Sequence, residues 1–298
     1  MDEQGQQARE QGHRHGPGPG RPTEERPAAE RRTAGPDAPV RRAAAAGPDA
    51  APGPDAAVRQ WREAAGQGDL VLLDGFHALK HALRFGADVR LAVADDPDAV
   101  RALADGLAPD VGAEVARLVR RAPLKELLPR VHPTGVAALA ARPDREAGRA
   151  ALGRLPRPAP VVVLDNPRNL GNVGAVVRLA AGFGATGVVT RGDLDPWHPH
   201  VVRAGAGLHY ATTVDRVELA ELPPGPLYAL DPEGEDIRAL TLPDDALLAF
   251  GSERHGISPE LRARADHLVS LPMRPQVSSY NLATSVAMAL FHWGGPKA

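Results

Sequence analysis

The sequence predicts an α/β protein with a small N-terminal α/β module and a C-terminal module built on a parallel sheet. Three observations predict it. From Val161 onward, short apolar runs (VVVLD at 161–165, GVVT at 187–190, LLAF at 247–250) alternate with stretches of helical spacing. A strand buried on both faces reads as such a continuous run, and strand–helix alternation implies parallel pairing. A shorter alternation of the same kind fills residues 58–145. Between the two lies PDREAGRAALGRLPRPA, residues 143–159, whose Pro, Gly and charge content reads as a connection.

In chain order, residues 1–57 come first. Met1 and Val40 are nearly their only large aliphatic side chains, and the first aromatic residue is Trp61. Such a segment buries too little apolar surface to offset the entropy of ordering it, so a disordered tail is expected. Leu70–Gly75 (LVLLDG) reads as a strand. Phe76–Ala87 reads as a helix with Phe76, Leu79, Leu83 and Phe85 on its apolar side and Gly86 as its stop. DVRLAVAD forms a second strand. AVRALADGL, EVARLVRR and LKELLP are expected as short helices, and VHPTGVAALA ends the module with a strand.

In the second module the expected strands are Val161–Asp165, Gly187–Thr190, Leu227–Asp231, Leu247–Phe250 and Leu268–Leu271. The expected helices are Val173–Phe183, one near His200–Gly207, Pro259–Ala265 and Tyr280–Trp293. Ser258 is a good N-cap for the third of these, with Pro259 in the first helical position. The expected organisation is a tail over 1–57, a first module over 58–145, a linker over 146–159 and a second module over 160–298.

Composition narrows the functional classes. The chain has 298 residues, 43% of them hydrophobic, and a formal net charge of −2, so it is not a wholly basic nucleic-acid binder. A local basic face stays open, because binding depends on where charges sit. Basic residues are nearly all Arg, with Lys only at Lys80, Lys125 and Lys297. The absence of Cys excludes disulfides, thiolate metal sites and Cys nucleophiles. No apolar run of membrane-spanning length and no signal-peptide core is visible, so a cytoplasmic protein without a membrane partner is expected. His77 and His81 lie four apart on one helix, but without a third ligand they do not make a metal cage, and no metal is expected.

Ligands of parallel α/β sheets bind beyond the carboxyl ends of the strands, and three loops there carry unusual residues. The first is Asn166–Arg178 (NPRNLGNVGAVVR). Gly171 and Gly174 allow close backbone approach, Asn172 either caps the helix or faces a ligand, and Arg178 interrupts an apolar stretch. The second is Gly251–Ser258 (GSERHGIS), which places Glu253 directly after a buried strand. The third is Leu271–Ala287, where Ser278, Ser279 and Asn281 precede an apolar helix; one of them caps it and the others are free to meet a ligand. A G-x-G-x-x-G run at Gly182, Gly184 and Gly187 follows a helix and precedes a strand. That order is the reverse of what a dinucleotide site needs, which argues against an oxidoreductase.

Taken together the three loops resemble the signature motifs of the SPOUT superfamily, specifically its SpoU (TrmH-type) ribose 2′-O-methyltransferases. Asn169–Arg178 is similar to N-x-G-N-x-G-A-x-x-R, and Gly251–Ile257 to G-S-E-x-x-G-I. Leu271-Pro272-Met273 with Ser279-Tyr280-Asn281 is similar to I-P-M…S-L-N. The first module resembles the ribosomal-protein-like substrate-binding domain often attached in this family, through LLDGFHALKHAL and HPTGVAALA. The resemblance covers roughly 58–298.

The resemblance implies a deep trefoil knot, a homodimer with its site near the dimer interface, and S-adenosylmethionine as methyl donor. Gly251, Leu271, Met273 and Tyr280 would bind that cofactor, largely through backbone groups. Arg178, Asn172, Glu253, Ser279 and Asn281 would form the catalytic site. RNA is the implied substrate, rRNA ahead of tRNA, with Arg84, Arg90, Arg117, Arg120 and Arg121 as candidate phosphate contacts. An RNA-binding relative that has lost activity is the alternative. Three departures are visible: Tyr280 stands where the family usually has Leu, and Ala283 where Ser is common. Ala204–Gly207, after Arg203, also lacks a frequent Ser.

Overall fold

The computed structural model describes residues 53–66 and 68–295. The expected tail therefore lies outside the described residues except for its last five, and these differ from expectation. Helix α1 spans Pro54–Ala65, with Pro in its first turn. Ala57, Val58 and Trp61 face inward and pack with Ala122, Leu124 and Leu139. One aromatic and two small apolar residues at helical spacing are enough to seat it.

The first module continues with β1 (Leu70–Asp74), α2 (Phe76–Arg84), β2 (Val89–Ala94), α3 (Pro97–Leu107), α4 (Gly112–Leu118), β3 (Val119–Arg121) and β4 (Val136–Ala141). Its four-stranded sheet runs β1-β4-β2-β3. The β1–β4 and β4–β2 pairs are antiparallel and β2–β3 is parallel. The helix expected over 114–121 stops at Leu118, because Val119–Arg121 pair with Ala92–Ala94 at the open edge of β2. LKELLP forms only a 3₁₀ turn, Leu124–Glu126.

The stretch expected as linker is corrected: it carries helix α5 (Arg145–Gly153). Asp144 caps it, accepting from the amides of Glu146 and Ala147. Arg145 and Arg149 each donate through Nε to one oxygen of Asp215 at 2.8 Å, and Leu152 is buried. The Pro and Gly residues flank this helix and do not interrupt it.

The second module holds β5 (Val161–Asp165), α6 (Leu170–Phe183), β6 (Gly187–Arg191), α7 (Pro199–Ala204) and β7 (Thr213–Arg216). It continues with β8 (Leu227–Asp236), β9 (Leu247–Phe250), α8 (Pro259–Arg264), β10 (His267–Ser270) and α9 (Leu282–Trp293). Its six strands run β10-β8-β9-β5-β6-β7, and every pair is parallel. The expected parallel sheet is present, with β7 as a strand the sequence reading did not contain. One apolar core joins the modules, running from Val71, Phe76 and Leu79 to Val173, Val202 and Leu290.

Strand β8 is longer than expected and broken. Leu268 of β10 pairs with Ala229, but the next residue, Val269, pairs with Glu235. Residues 230–234 therefore loop out of the sheet at its carboxyl end. Gly234 lies so close beneath β10 that an added Cβ would sit 2.3 Å from the Val269 amide nitrogen.

Candidate functional site

The carboxyl ends of β5, β9 and β10 lead into the three unusual loops. Asp165, the last residue of β5, is buried and ties two of its neighbours down. Arg191 donates to its Oδ1 at 2.5 Å and the Ser258 amide to its Oδ2 at 2.7 Å. Burying a carboxylate is tolerable when it is paired and hydrogen-bonded in this way. The end of the second loop is thereby fixed to the start of the first. Asn166 then turns the chain at φ 53. Asn169, not Asn172, caps α6, with its side chain accepting from the Asn172 amide at 3.0 Å.

The Asn172 side chain is therefore free for another task, and it links all three loops. Its Nδ2 donates to Glu253 Oε1 at 2.7 Å, and its Oδ1 accepts from Asn281 Nδ2 at 3.1 Å. Asn281 in turn caps α9 by accepting from the Ala283 amide at 2.9 Å, so the last helix starts at Leu282 and not at Tyr280. Glu253 is presented by a tight turn in which the backbones of Ser252 and Gly256 exchange two hydrogen bonds of 3.0 Å. Gly251 is required there: a Cβ would lie 1.9 Å from the Gly256 carbonyl carbon. Tyr280 closes the third loop, its hydroxyl donating to the Pro272 carbonyl at 2.9 Å.

These loops enclose a cavity of about 730 Å³. Gly251, Glu253, Leu271, Met273, Ser279, Tyr280 and Asn281 all line it, and Asn172 reaches its rim through Glu253 and Asn281. The size and mixed lining suit a small organic ligand. Sequence reasoning missed one wall, Leu230–Pro232 from the looped-out part of β8. The signal was present as the D-P-E-G turn inside an otherwise strand-like run. Burial raises the Asp231 pKa, but hydrogen bonds from the Glu233 amide and Arg262 outweigh it and hold the carboxyl below its usual range.

Arg178 is not in this cavity. It lies on α6 six residues beyond Asn172, about 240° round the helix axis at 3.6 residues per turn. It lines a separate, shallower depression with Ala175, Leu179, Gly182, Phe183 and Ala204. Phe291 of α9 is 73% exposed.

Three of the five candidate phosphate contacts are occupied. Arg84 is bound by both oxygens of Asp110 at 2.6 Å, Arg90 by Asp88 at 2.7 Å and Arg121 by Asp96 at 3.8 Å. Arg120 donates to the Arg117 carbonyl. Arg203, beside the departure at Ala204–Gly207, pairs with Asp74 at 3.1 Å. His81 turns Nδ1 to the Ala206 carbonyl at 2.8 Å.

A parallel sheet with a cavity built from three loops at its carboxyl end carries the motifs that resemble those of SPOUT methyltransferases. Residues 159–291 match the model of the SpoU rRNA Methylase family. An uncharacterized tRNA/rRNA methyltransferase of Synechocystis is 30% identical over 141 residues, covering 44% of this chain and 51% of the relative. The 23S rRNA (uridine(2479)-2′-O)-methyltransferase of Streptomyces viridochromogenes is 29% identical over 144 residues, covering 44% and 50%. The chain thus spans about half the length of these curated relatives. The fold is that of the SpoU methyltransferase AviRb from S. viridochromogenes, solved with AdoMet. The TM-score is 0.62 at 22% identity, over 80% of this chain and 96% of that one.

Proposed function

We propose that this protein transfers a methyl group from S-adenosylmethionine to a ribose 2′-hydroxyl of structured RNA, rRNA rather than tRNA, as a cytoplasmic homodimer. The observation that carries this reading is the Glu253–Asn172–Asn281 chain of hydrogen bonds, which joins the three family motifs at the mouth of one cavity. Relatives that methylate 23S rRNA 2′-hydroxyls support the reaction, and the AdoMet-bound SpoU neighbour supports the cofactor. Among the described residues no helix is long and apolar enough to cross a membrane.

The cavity fits the cofactor by the character of its lining. Apolar side chains (Leu230, Leu271, Met273) share its lining with Gly251 and Tyr280. These residues would hold it. S-Adenosylmethionine supplies a methyl group already activated on a sulfonium. The protein's part is then to align the hydroxyl with that methyl, and orientation of this kind is worth up to ~7–11 kcal/mol of barrier. Asn172, Glu253 and Asn281 fix the loops that set the alignment, and Ser279 faces the same space. Arg178 holds the ribose and its neighbouring phosphate. It is not a base, since a guanidinium pKa above about 12 keeps it protonated. The hydroxyl proton leaves late, to phosphate or water.

Arg178 stands outside its own cavity, and this supports assembly. Apolar side chains of α6 (Ala175, Leu179, Phe183) line the same depression, and Phe291 of α9 is exposed. A second copy covering this face would present its Arg178 to the first copy's cavity. The return of the chain from β10, at one edge of the sheet, to α9 against α6 supports a knotted C-terminus. The mixed four-stranded sheet supports the first module as an RNA-selecting domain.

The test is tritium transfer from labelled cofactor to total rRNA. Arg178→Ala and Asn281→Ala are each expected to lose transfer while Arg178→Ala still binds cofactor. In an equal mixture, half the dimers pair the two variants and each carries one complete site, so about a quarter of the activity returns. Full activity in Arg178→Ala, or no transfer by the unaltered chain, would overturn the reading.

A further inference from the structure

A second depression, of about 650 Å³, adjoins the cavity of the three loops. Ser252, Glu253, Arg254 and His255 line both spaces. Arg168, Asn169 and Asn172 of the first loop complete the second one. The 2.7 Å bond from Asn172 Nδ2 to Glu253 Oε1 joins two of its lining side chains. Asn281, which lines the other cavity, bonds to the same Asn172. The two spaces therefore meet where the three motifs are tied together.

The linings differ in chemistry. Leu230, Leu271 and Met273 contribute to the first, whereas every side chain lining the second is polar or charged. Its two guanidiniums are poorly neutralised. Among the described residues Arg254 has no carboxylate within ion-pair distance, and Arg168 approaches only Asp193, at 3.9 Å, whose side chain is 96% exposed. Such a pair is worth little and yields to another anion. Arg142, Arg191, Arg203 and Arg262, by contrast, are paired at 2.5 to 3.1 Å. The one carboxylate of the lining, Glu253, already accepts from Asn172. Two guanidiniums against one carboxylate leave the space net positive. The loop that presents Arg254 is itself fixed: the His255 amide donates to Ser252 Oγ at 3.2 Å, and the backbones of Ser252 and Gly256 exchange two bonds.

We infer that this depression is the subsite for the sugar–phosphate backbone of the RNA at the nucleotide being modified, with Arg254 and Arg168 as its phosphate contacts. This rests on the methyltransferase reading and deepens it. Forked guanidinium donors match the paired oxygens of a phosphodiester. The absence of any aliphatic side chain from the lining suits backbone better than base. The strand would lie in one space and the methyl donor in the other, and the 2′-hydroxyl would cross between them at Asn172 and Glu253. Arg254 and His255 fill the two open positions of G-S-E-x-x-G-I, and Arg168 precedes N-x-G-N-x-G-A-x-x-R. The substrate contacts therefore sit on residues the motifs leave free, held in place by the residues the motifs specify.

The experiment uses the full chain with Arg254→Gln, Arg168→Gln, Arg254→Lys and, as a control lining neither space, Arg238→Gln, whose arginine is held by Asp236 at 2.5 Å. The substrate is rRNA transcribed in vitro, which carries no modification. Methyl transfer gives kcat and KM, filter binding across a KCl series gives RNA affinity, and titration calorimetry gives cofactor affinity. For Arg254→Gln and for Arg168→Gln the KM for RNA should rise about five- to tenfold. The slope of log affinity against log salt should fall by about one, as for loss of one phosphate contact. Cofactor affinity should stay within about twofold, and Arg254→Lys, which keeps the charge, should restore the slope. If Arg254→Gln and Arg168→Gln both match Arg238→Gln in KM and slope, the inference is overturned while the methyltransferase reading stands. A chain that transfers no methyl, yet loses salt slope in Arg254→Gln, would uphold the RNA subsite and refute the methyltransferase reading. Weaker cofactor binding with an unchanged RNA slope would assign Arg254 to the cavity it shares and overturn the subsite.

Discussion

His209 should make the protein lose stability in mild acid. It is buried at 1% exposure, its ring 5.0 Å from that of Trp197. Its Nε2 donates to the Pro196 carbonyl at 3.0 Å, and its Nδ1 has no hydrogen-bond partner among the described residues. A proton on Nδ1 would add a buried charge and a buried unpaired donor. Burial accordingly lowers the pKa from 6.5 to about 4, against smaller opposing effects of the Pro196 carbonyl and Asp195. Because the folded pKa lies below the unfolded one, the unfolded chain binds more protons between these values. The contribution of His209 is therefore intact above pH 6.5 and declines as pH falls toward 4. With ~1.4 kcal/mol per unit, the loss is about 2 kcal/mol at pH 5 and roughly 3 kcal/mol below pH 4. The assay is urea denaturation at pH 7.5, 6 and 5, followed by fluorescence of the adjacent Trp197. His209→Gln keeps a donor for Pro196 and removes the titration, so its stability should fall about 2 kcal/mol less over that range. Other titrating groups are common to both chains and cancel in the difference. Parallel curves for the two proteins would refute the argument.

Two further substitutions address the site. Asn172→Asp sets a carboxylate against Glu253 Oε1, now 2.7 Å from the amide nitrogen; single-turnover transfer should fall at least about tenfold while urea stability changes by less than about 1 kcal/mol, as for a partly exposed hydrogen bond. Gly251→Ala forces a Cβ to within 1.9 Å of the Gly256 carbonyl carbon; opening that turn should cost about 1–3 kcal/mol and abolish cofactor binding by titration calorimetry, and normal binding would show that the turn does not shape the cavity.

Much of the fold was legible because the second module's strands are unbroken apolar runs, and period and burial agree there. Where expectation failed, a pairing partner or a docking surface outweighed the local signal. Val119–Arg121 continue a helical pattern, yet the free edge of β2 takes them as a strand. Arg145–Gly153 look like a polar linker, yet Asp215 offers both oxygens to two of its arginines, and Leu152 is buried against the second sheet. Neither Asp215 nor the β2 edge is visible from within the segment it captures.

The site was legible for a different reason. Motif residues near the ends of parallel strands converge because the sheet gathers those ends, and eight of the nine named residues lie at or against one cavity. Its remaining wall, at Leu230–Pro232, was hidden because a one-dimensional reading treats a turn inside a strand as the strand's end. Arg178 is the exception that carries most information. Spacing within a motif places it with Asn172, but helical geometry turns it about 240° away, among Ala175, Leu179 and Phe183 of α6. A short motif on one helix can therefore serve two surfaces: Asn172 locks the loops of its own cavity, while Arg178 faces outward, where a second copy and a phosphate chain would both have to meet it.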